Sequence, residues 1–242
     1  MFTVAERDAV RDRVLELAAD DPLVVAAAAV GSLAVGPGDE WSDLDLTFAV
    51  ADGVPPGEVI DDWSARMAER GAVVLFDLPS GPTIYRVFLL PGCLQVDLSF
   101  TPAAQFAPAS PTWRLLFGRA GEPAHTPPPR SAGESVGYAT LFAVHAGASI
   151  ARGRLWQAEH WIASIRGETL ALVSRRHGLR GAEYRGVDEL PPDLLARASA
   201  TRVGDLEPDE LRRALRAAVE LLLAEAGGDA DHVEERLREL VA

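Results

Sequence analysis

The spacing of apolar residues changes once along the chain, and this change most restricts what the chain can fold into. Up to about residue 100, short segments alternate apolar and polar residues with the period of a β-strand. Beyond residue 130, apolar residues recur every three to four positions, as they do in helices. Residues 101–130 are rich in proline and end in His-Thr-Pro-Pro-Pro-Arg, which predicts a stiff extended linker. We therefore predict an α+β domain over 1–128 and an all-α domain over 131–242.

The first half predicts a capped helix followed by strands and a second helix. Thr3 and Glu6 have the spacing of a capping box, and the helix they begin should end before Pro22. The pair Pro91-Gly92 predicts a hairpin turn. The predicted strands lie in 23–30, 42–50, 72–78, 83–90 and 93–100, and the second helix spans 57–70.

The second half predicts helices only. Helices are expected over 138–152 and 155–177, from Pro208 to Ala226, and in a short segment near the end of the chain. The helix over 155–177 carries a core stripe at helical spacing, formed by Leu155, Ala158, Ile162, Ile165, Thr169 and Leu172.

The charge of the chain excludes one broad class of partner. There are 36 acidic and 23 basic residues, which give a net charge of −13, and every basic residue is arginine. A chain this acidic is poorly suited to hold a nucleic-acid duplex through a basic face. We expect no nucleic-acid partner and no membrane partner.

Cysteine content and segment lengths indicate a cytoplasmic protein. A single cysteine, Cys93, excludes disulfide frameworks and thiolate metal clusters, and we expect it to be a buried, inert thiol. The N-terminal residues carry no apolar segment typical of a signal peptide, and the longest apolar run, 23–30, is too short to cross a bilayer.

Polar residues on and beside the predicted strands form a candidate metal-binding site. Gly31 and Ser32 follow a buried strand, Asp43 and Asp45 share one face of the next strand, and Asp97 lies on a later strand. Neighbouring carboxylates repel one another unless a cation lies between them, and Mg²⁺ accepts carboxylate ligands while keeping positions for phosphate oxygens. If the two strands lie close together, the three aspartates form one pocket for one or two Mg²⁺ ions.

This pattern resembles the nucleotidyltransferase superfamily of the DNA polymerase β type. The resemblance is carried by GSLAVGPGDEWSDLDL, over residues 31–46, and by LQVDLSF, over residues 94–100. Within that superfamily the chain is most similar to the small enzymes that modify aminoglycoside and lincosamide antibiotics. Those enzymes pair a mixed-sheet catalytic domain with a C-terminal helical bundle that binds substrate. The resemblance implies Mg²⁺-dependent transfer of a nucleoside monophosphate, usually AMP from ATP, to a hydroxyl group.

The resemblance also implies roles for individual residues. Gly31 and Ser32 would hold phosphates, while Asp43 and Asp45 would bind metal. Asp97 would either bind the second metal or accept the proton of the attacking hydroxyl.

The helical half contains candidate phosphate-binding and catalytic residues, and each of them has an alternative structural interpretation. Arg152, Arg154 and Arg166 belong to an arginine-rich stretch and would clamp a triphosphate, or they form an ordinary solvated helix face. Glu159 is a candidate catalytic base, because relatives that modify antibiotics use a glutamate from the helical domain. A surface ion pair explains Glu159 equally well.

Two other functions stay open at this point. The same chemistry would serve an enzyme that attaches AMP to a protein, such as a partner toxin. A catalytically silent module that senses nucleotides is the other alternative, although the complete set of three aspartates argues against it. The resemblance suggests a homodimer, but no apolar stripe in the sequence indicates a dimer interface.

Overall fold

The computed structural model describes residues 1–123 and 128–242, and the chain divides into two compact units, Met1–Pro127 and Pro128–Ala242. The fold class is α+β, as predicted: a six-stranded mixed sheet lies in the first unit, and the second unit is helical. Residues 124–127, in the predicted proline-rich linker, lie outside the described part of the chain. No helix in the described ranges is long and apolar enough to cross a membrane.

The first unit is built on one sheet with the strand order β3-β4-β5-β2-β1-β6. Strands β2 and β5 are parallel, and every other neighbouring pair is antiparallel. The predicted strands and helices are confirmed, including the capping box at Thr3. The elements are α1 Val4–Asp20, β1 Val24–Val30, α2 Ser32–Val35, β2 Leu44–Val50, α3 Pro56–Ala68, β3 Val73–Ser80, β4 Thr83–Leu90, β5 Leu94–Pro102 and β6 Trp113–Phe117.

The core of this unit lies on one face of the sheet, where α1 and α3 pack. Trp63 of α3 is fully buried between Phe48 of β2 and Phe100 of β5, with ring centroids 5.0 and 5.3 Å away. Its indole nitrogen donates a hydrogen bond to buried Asp21, so the large aromatic ring is packed with its polar atom satisfied. This packing leaves the opposite face of β2 and β5 to the polar residues.

The prediction of a linker over 101–130 is wrong in part. Residues Trp113–Phe117 form β6, which pairs antiparallel with β1 at the edge of the sheet. The surrounding prolines concealed this strand, because proline is compatible with the ends of an edge strand although it cannot donate to a ladder.

The prediction that Cys93 is buried at the start of a strand is also wrong. Cys93 is exposed and ends a short 3₁₀ turn, Pro91–Cys93, with a φ of 63°. The hairpin turn between β4 and β5 therefore extends one residue further than its Pro-Gly pair indicates.

The second unit consists of five helices in the described range. The predicted core stripe of α5 is confirmed, since Ala158, Ile162, Ile165 and Thr169 are fully buried. The sequence pattern did not reveal α6, a short helix that begins with proline in its first turn. The elements are α4 Ala132–Ala151, α5 Leu155–Arg176, α6 Pro192–Ala200, α7 Pro208–Ala226 and α8 Glu234–Val241.

Candidate active site

Two of the three predicted aspartates lie directly side by side. In the parallel pair of β2 and β5, Asp45 is in register with Asp97, so their side chains leave the same face of the sheet. Asp43 precedes β2 by one residue and lies two positions from Asp45, which places it on that face as well. All three side chains are half-buried. The structure thus brings the predicted carboxylates together at one end of two adjacent strands.

The electrostatics of Asp97 reflect this crowding. Burial raises the pKa of Asp97 above its ordinary value, and the negative charge of Asp43 raises it further. The side-chain amide of Gln95 acts in the opposite direction, because it donates to both carboxylate oxygens of Asp97 at 3.0 and 3.1 Å. The ionised carboxylate is therefore held in a defined position, in surroundings that favour its taking up a proton or lying close to a cation.

Gly31 brings the backbone against the carboxylate of Asp45. Its φ is +69°, and a Cβ added there would lie 2.5 Å from Oδ2 of Asp45, closer than a real side-chain carbon can approach. Ser32, the first residue of the four-residue helix α2, is exposed. The predicted Gly-Ser pair is therefore next to the predicted aspartates, and the position requires glycine for two separate reasons.

Alanine substitutions at Gly31 and Gly53 separate the effect of the positive φ from that of the close approach to Asp45. Both glycines have a left-handed φ, but a Cβ at Gly53 would meet nothing within 4 Å. We expect each alanine variant to lose about 1–2 kcal/mol of stability from backbone strain. Only Gly31→Ala should also displace Asp45, at a cost of about 10²-fold in turnover. Chemical denaturation and steady-state kinetics of the two variants measure this; equal turnover in both would contradict the close contact.

A buried arginine that the sequence interpretation missed holds the loop before β2. The guanidinium of Arg7, on α1, is fully buried and donates to the carbonyl oxygens of Asp39 at 2.6 Å and Pro37 at 2.8 Å. Within the same loop, the hydroxyl of Ser42 donates to Asp39 and lowers the pKa of that carboxyl. Arg7 thus fixes the segment that leads directly to Asp43.

A second missed arginine supports α2. Arg114 of β6 donates to the carbonyl oxygens of Leu33 and Ala34 at 3.0 and 3.1 Å. These carbonyls lie in the short helix that follows Gly31, so β6 helps to position the Gly-Ser pair. Because β6 itself was not predicted, no sequence signal pointed to Arg114.

The donor set at this corner fits a hard divalent cation. Asp43, Asp45 and Asp97 offer only carboxylate oxygens, the ligand type that Mg²⁺ prefers. Among the described residues, however, no three His, Cys, Asp or Glu side chains form a ready-made metal site. Since Mg²⁺ usually binds through one or two carboxylates together with water and substrate phosphates, the remaining ligands would come from a nucleotide.

A cavity of about 380 Å³ opens beside the carboxylates in the first unit. Its floor is the polar face of β2, β4 and β5, and the segment after β5 covers it together with Trp113. The polar residues and aromatic rings that line it include Asp45, Thr47, Thr83, Tyr85, Asp97, Ser99, Thr101, Gln105, Phe106, Ser110 and Trp113.

The arginines predicted to clamp a triphosphate lie in the second unit and do not form one cluster there. Arg152 caps the end of α4 and Arg154 caps the start of α5, and both are exposed. Arg166 is roughly 18 Å further along α5 by helical rise. Its guanidinium donates to the carbonyl oxygen of Thr201 at 3.3 Å, which ties α5 to the end of α6.

The same arginine-rich stretch is largely engaged inside its own unit. Arg176 pairs with buried Glu225, and Arg175 donates to the hydroxyl of Ser135. Glu159, the candidate base, is half-buried on α5. These contacts give several of the arginines a structural role, whereas a catalytic role for Arg152, Arg154, Arg166 and Glu159 stays a prediction.

Comparison with known proteins identifies a similar solved structure but no similar sequence. No protein-family model matches the chain, and no curated protein is similar to it in sequence. Among solved structures, an aminoglycoside 6-adenyltransferase from Bacillus subtilis is similar, at 13% sequence identity and a TM-score of 0.43, over 100% of this chain and 98% of that chain.

Proposed function

We propose that the chain is a Mg²⁺-dependent nucleotidyltransferase that transfers a nucleoside monophosphate, AMP from ATP in the first instance, to a hydroxyl group of a small molecule. The observation that carries this proposal is the pairing of Asp45 with Asp97 across two parallel strands, with Asp43 and Gly31 against them. Three carboxylates crowded in this way repel one another, and a divalent cation with a bound triphosphate relieves that repulsion.

The proposed reaction forms one bond and breaks one. The acceptor's hydroxyl oxygen bonds to the α-phosphorus, the bond from that phosphorus to the bridging oxygen of the β-phosphate breaks, and pyrophosphate leaves. Asp97 accepts the hydroxyl proton, a role that its raised pKa favours. Asp43 and Asp45 would hold Mg²⁺, which supplies positive charge to the phosphate oxygens.

Phosphate contacts in this proposal come from backbone groups and arginine, because the chain contains no lysine. Gly31 allows the backbone to approach phosphate oxygens closely, and Ser32 adds an exposed hydroxyl. The proposed arginine contacts are Arg152 and Arg154 or, from further along α5, Arg166, and Glu159 is a second proposed base. The acceptor class proposed first is the aminoglycoside and lincosamide antibiotics.

Pyrophosphate release tests the proposal. The protein is incubated with Mg²⁺, each of the four common nucleoside triphosphates, and a panel of aminoglycosides and lincosamides. We expect release that requires an acceptor and Mg²⁺ together, and that stops when a chelator is added. Absence of turnover with every acceptor, combined with absence of nucleotide binding by calorimetry, would contradict the proposed function.

A further inference from the structure

The cavity beside Asp97 is lined mainly by uncharged groups, unlike the adjoining cluster of Asp43, Asp45 and Asp97. Among the described residues that line it, Asp45 and Asp97 are the charged ones, and they lie at one end. Beyond them the lining consists of hydroxyl groups, one amide, alanines and aromatic rings. Its volume is within the range of pockets that bind small molecules.

Hydroxyl groups on three neighbouring strands face this space. Thr47 of β2 and Ser99 of β5 are more than nine-tenths buried, and Tyr85 of β4 is in register with Ser99. Within residues 1–123 and 128–242, no protein group hydrogen-bonds to these three hydroxyls. The side chain of Tyr85 is partly exposed. The hydroxyls of Thr47 and Ser99 are not among the enclosed polar atoms of the described residues that lack a partner. All three hydroxyls are therefore open to a hydrogen bond from a molecule in the cavity.

The hydroxyls of Thr83 and Thr101, by contrast, hydrogen-bond to each other at 2.9 Å. These two hydroxyls therefore already have a partner, and they lie at the end of the cavity floor away from Asp45 and Asp97. On the opposite side, Trp113 packs its ring against Phe106, with centroids 5.6 Å apart. Half-buried Trp113 therefore offers an aromatic surface across from a row of hydroxyl donors and acceptors.

The charge of the lining argues against the triphosphate as occupant. No arginine or histidine is among the described lining residues, and Gly31, Ser32 and Asp43 are not among them either. Away from the two carboxylates, where Mg²⁺ would lie, the described lining residues offer a polyphosphate no cationic side chain. An ammonium group in the neutral part would lose its hydration without gaining a charged partner.

We propose that this cavity is the acceptor subsite, and that it takes an uncharged, hydroxylated ring compound of the glycoside class. The ring lies against Trp113, its hydroxyls bond to Tyr85, Thr47 and Ser99, and its reacting hydroxyl points to Asp97. This assignment rests on the proposed nucleotidyl transfer, because an acceptor in this cavity lies directly beside the paired carboxylates of Asp45 and Asp97. It replaces the polycationic aminoglycosides, one of the acceptor classes named above, with neutral glycosides.

Binding without turnover tests the subsite. The probe is 4-nitrophenyl β-D-glucopyranoside, a neutral glycoside whose nitrophenyl group quenches tryptophan fluorescence, added to the full chain without nucleotide. We expect saturable quenching that is lost in Trp113→Phe. Tyr85→Phe and Ser99→Ala should each weaken binding about fivefold to tenfold, as expected for one hydrogen bond. The matched controls Tyr138→Phe and Ser80→Ala, which alter residues outside the cavity lining, should bind as the unaltered chain does.

Competition experiments identify the kind of occupant. Adenosine and kanamycin are added to the complex of protein and probe. Displacement by adenosine would make the cavity a nucleoside site, and displacement by kanamycin at equal or lower concentration would exclude the uncharged class. Either result overturns the proposal, as does quenching that fails to saturate or survives in Trp113→Phe.

The subsite and the proposed reaction fail in different ways. If the probe binds as expected but no acceptor is ever modified, the cavity is a glycoside-binding site, and both the transfer reaction and the acceptor role of the cavity are wrong. If an acceptor is modified at the same rate and KM in Tyr85→Phe and Ser99→Ala, the reaction stands and the subsite is wrong.

Discussion

Replacement of Asp45 or Asp97 by asparagine is expected to lower turnover by about 10³-fold, which corresponds to ~4 kcal/mol of transition-state stabilisation. Asparagine keeps the shape of the side chain but removes the charge that would hold a cation or accept a proton. The register of β2 and β5 makes the two residues equivalent in position, so both variants should lose activity. Steady-state kinetics with saturating nucleotide measure this loss.

The Asp97→Asn variant should keep its stability. Burial and the charge of Asp43 raise the pKa of Asp97 in the folded chain. For an acid with a raised folded pKa, the contribution to stability is present at low pH and is lost as pH rises through that pKa. Asp97→Asn removes this loss, so at neutral pH and without Mg²⁺ it should be at least as stable as the unaltered chain.

Asp52→Asn provides the matched control. Asp52 is an exposed aspartate in the turn after β2, at the opposite end of the strand from Asp43 and Asp45. It should retain full activity and the thermal stabilisation by Mg²⁺ and a non-hydrolysable ATP analogue, whereas Asp45→Asn should lose both. Normal activity in Asp45→Asn and Asp97→Asn would remove these residues from the site.

Replacement of Arg7 by methionine is expected to destabilise the first unit by about 2–4 kcal/mol, because the loop loses two hydrogen bonds from a buried guanidinium and an aliphatic chain cannot replace them. The carbonyls belong to Pro37 and Asp39, in the loop that leads to Asp43. The variant should therefore also lose activity at temperatures where it remains folded. Urea denaturation gives the free energy of unfolding, and kinetics well below the melting temperature give the second effect.

Arg11→Met is the control for this substitution. Arg11 lies one turn further along α1, is partly exposed, and pairs with Asp8 and Asp12. Exposed pairs of this kind contribute little, so we expect a change below about 1 kcal/mol and no effect on turnover. If both variants lost equal stability, the buried guanidinium of Arg7 would not be what holds the loop.

Much of the fold follows from local patterns in the chain. The alternation in 42–50 and 93–100 predicts that Asp43 and Asp45, and likewise Gln95, Asp97 and Ser99, share a face, and the structure confirms both faces. Capping residues and glycine stops predict most helix ends within a few residues. The start of α4 is the exception, because the prediction placed it at residue 138 and the helix begins at Ala132, after a capping box at Ser131. These features depend on residues that are close together in sequence, so the sequence alone predicts them.

Features that depend on contacts between distant parts of the chain could not be predicted from the sequence. Nothing in either strand indicates that β5 inserts next to β2, and the adjacency of Asp45 and Asp97 depends on that order. The edge strand β6 was hidden by the prolines around it. Arg7 did leave a signal, since it occupies the same helical face as Val10 and Val14, where a charged residue is out of place unless it is buried with partners.

Transfer of label from ATP tests the central claim most directly. Two parallel reactions contain the protein, Mg²⁺ and an acceptor, with ATP labelled at the α-phosphate in one and at the γ-phosphate in the other. We predict labelled acceptor only from the α-labelled ATP, and labelled pyrophosphate from the γ-labelled ATP, with both signals lost in Asp97→Asn. Label passing from the γ-phosphate to the acceptor, or release of free phosphate alone, would contradict nucleotidyl transfer at this site.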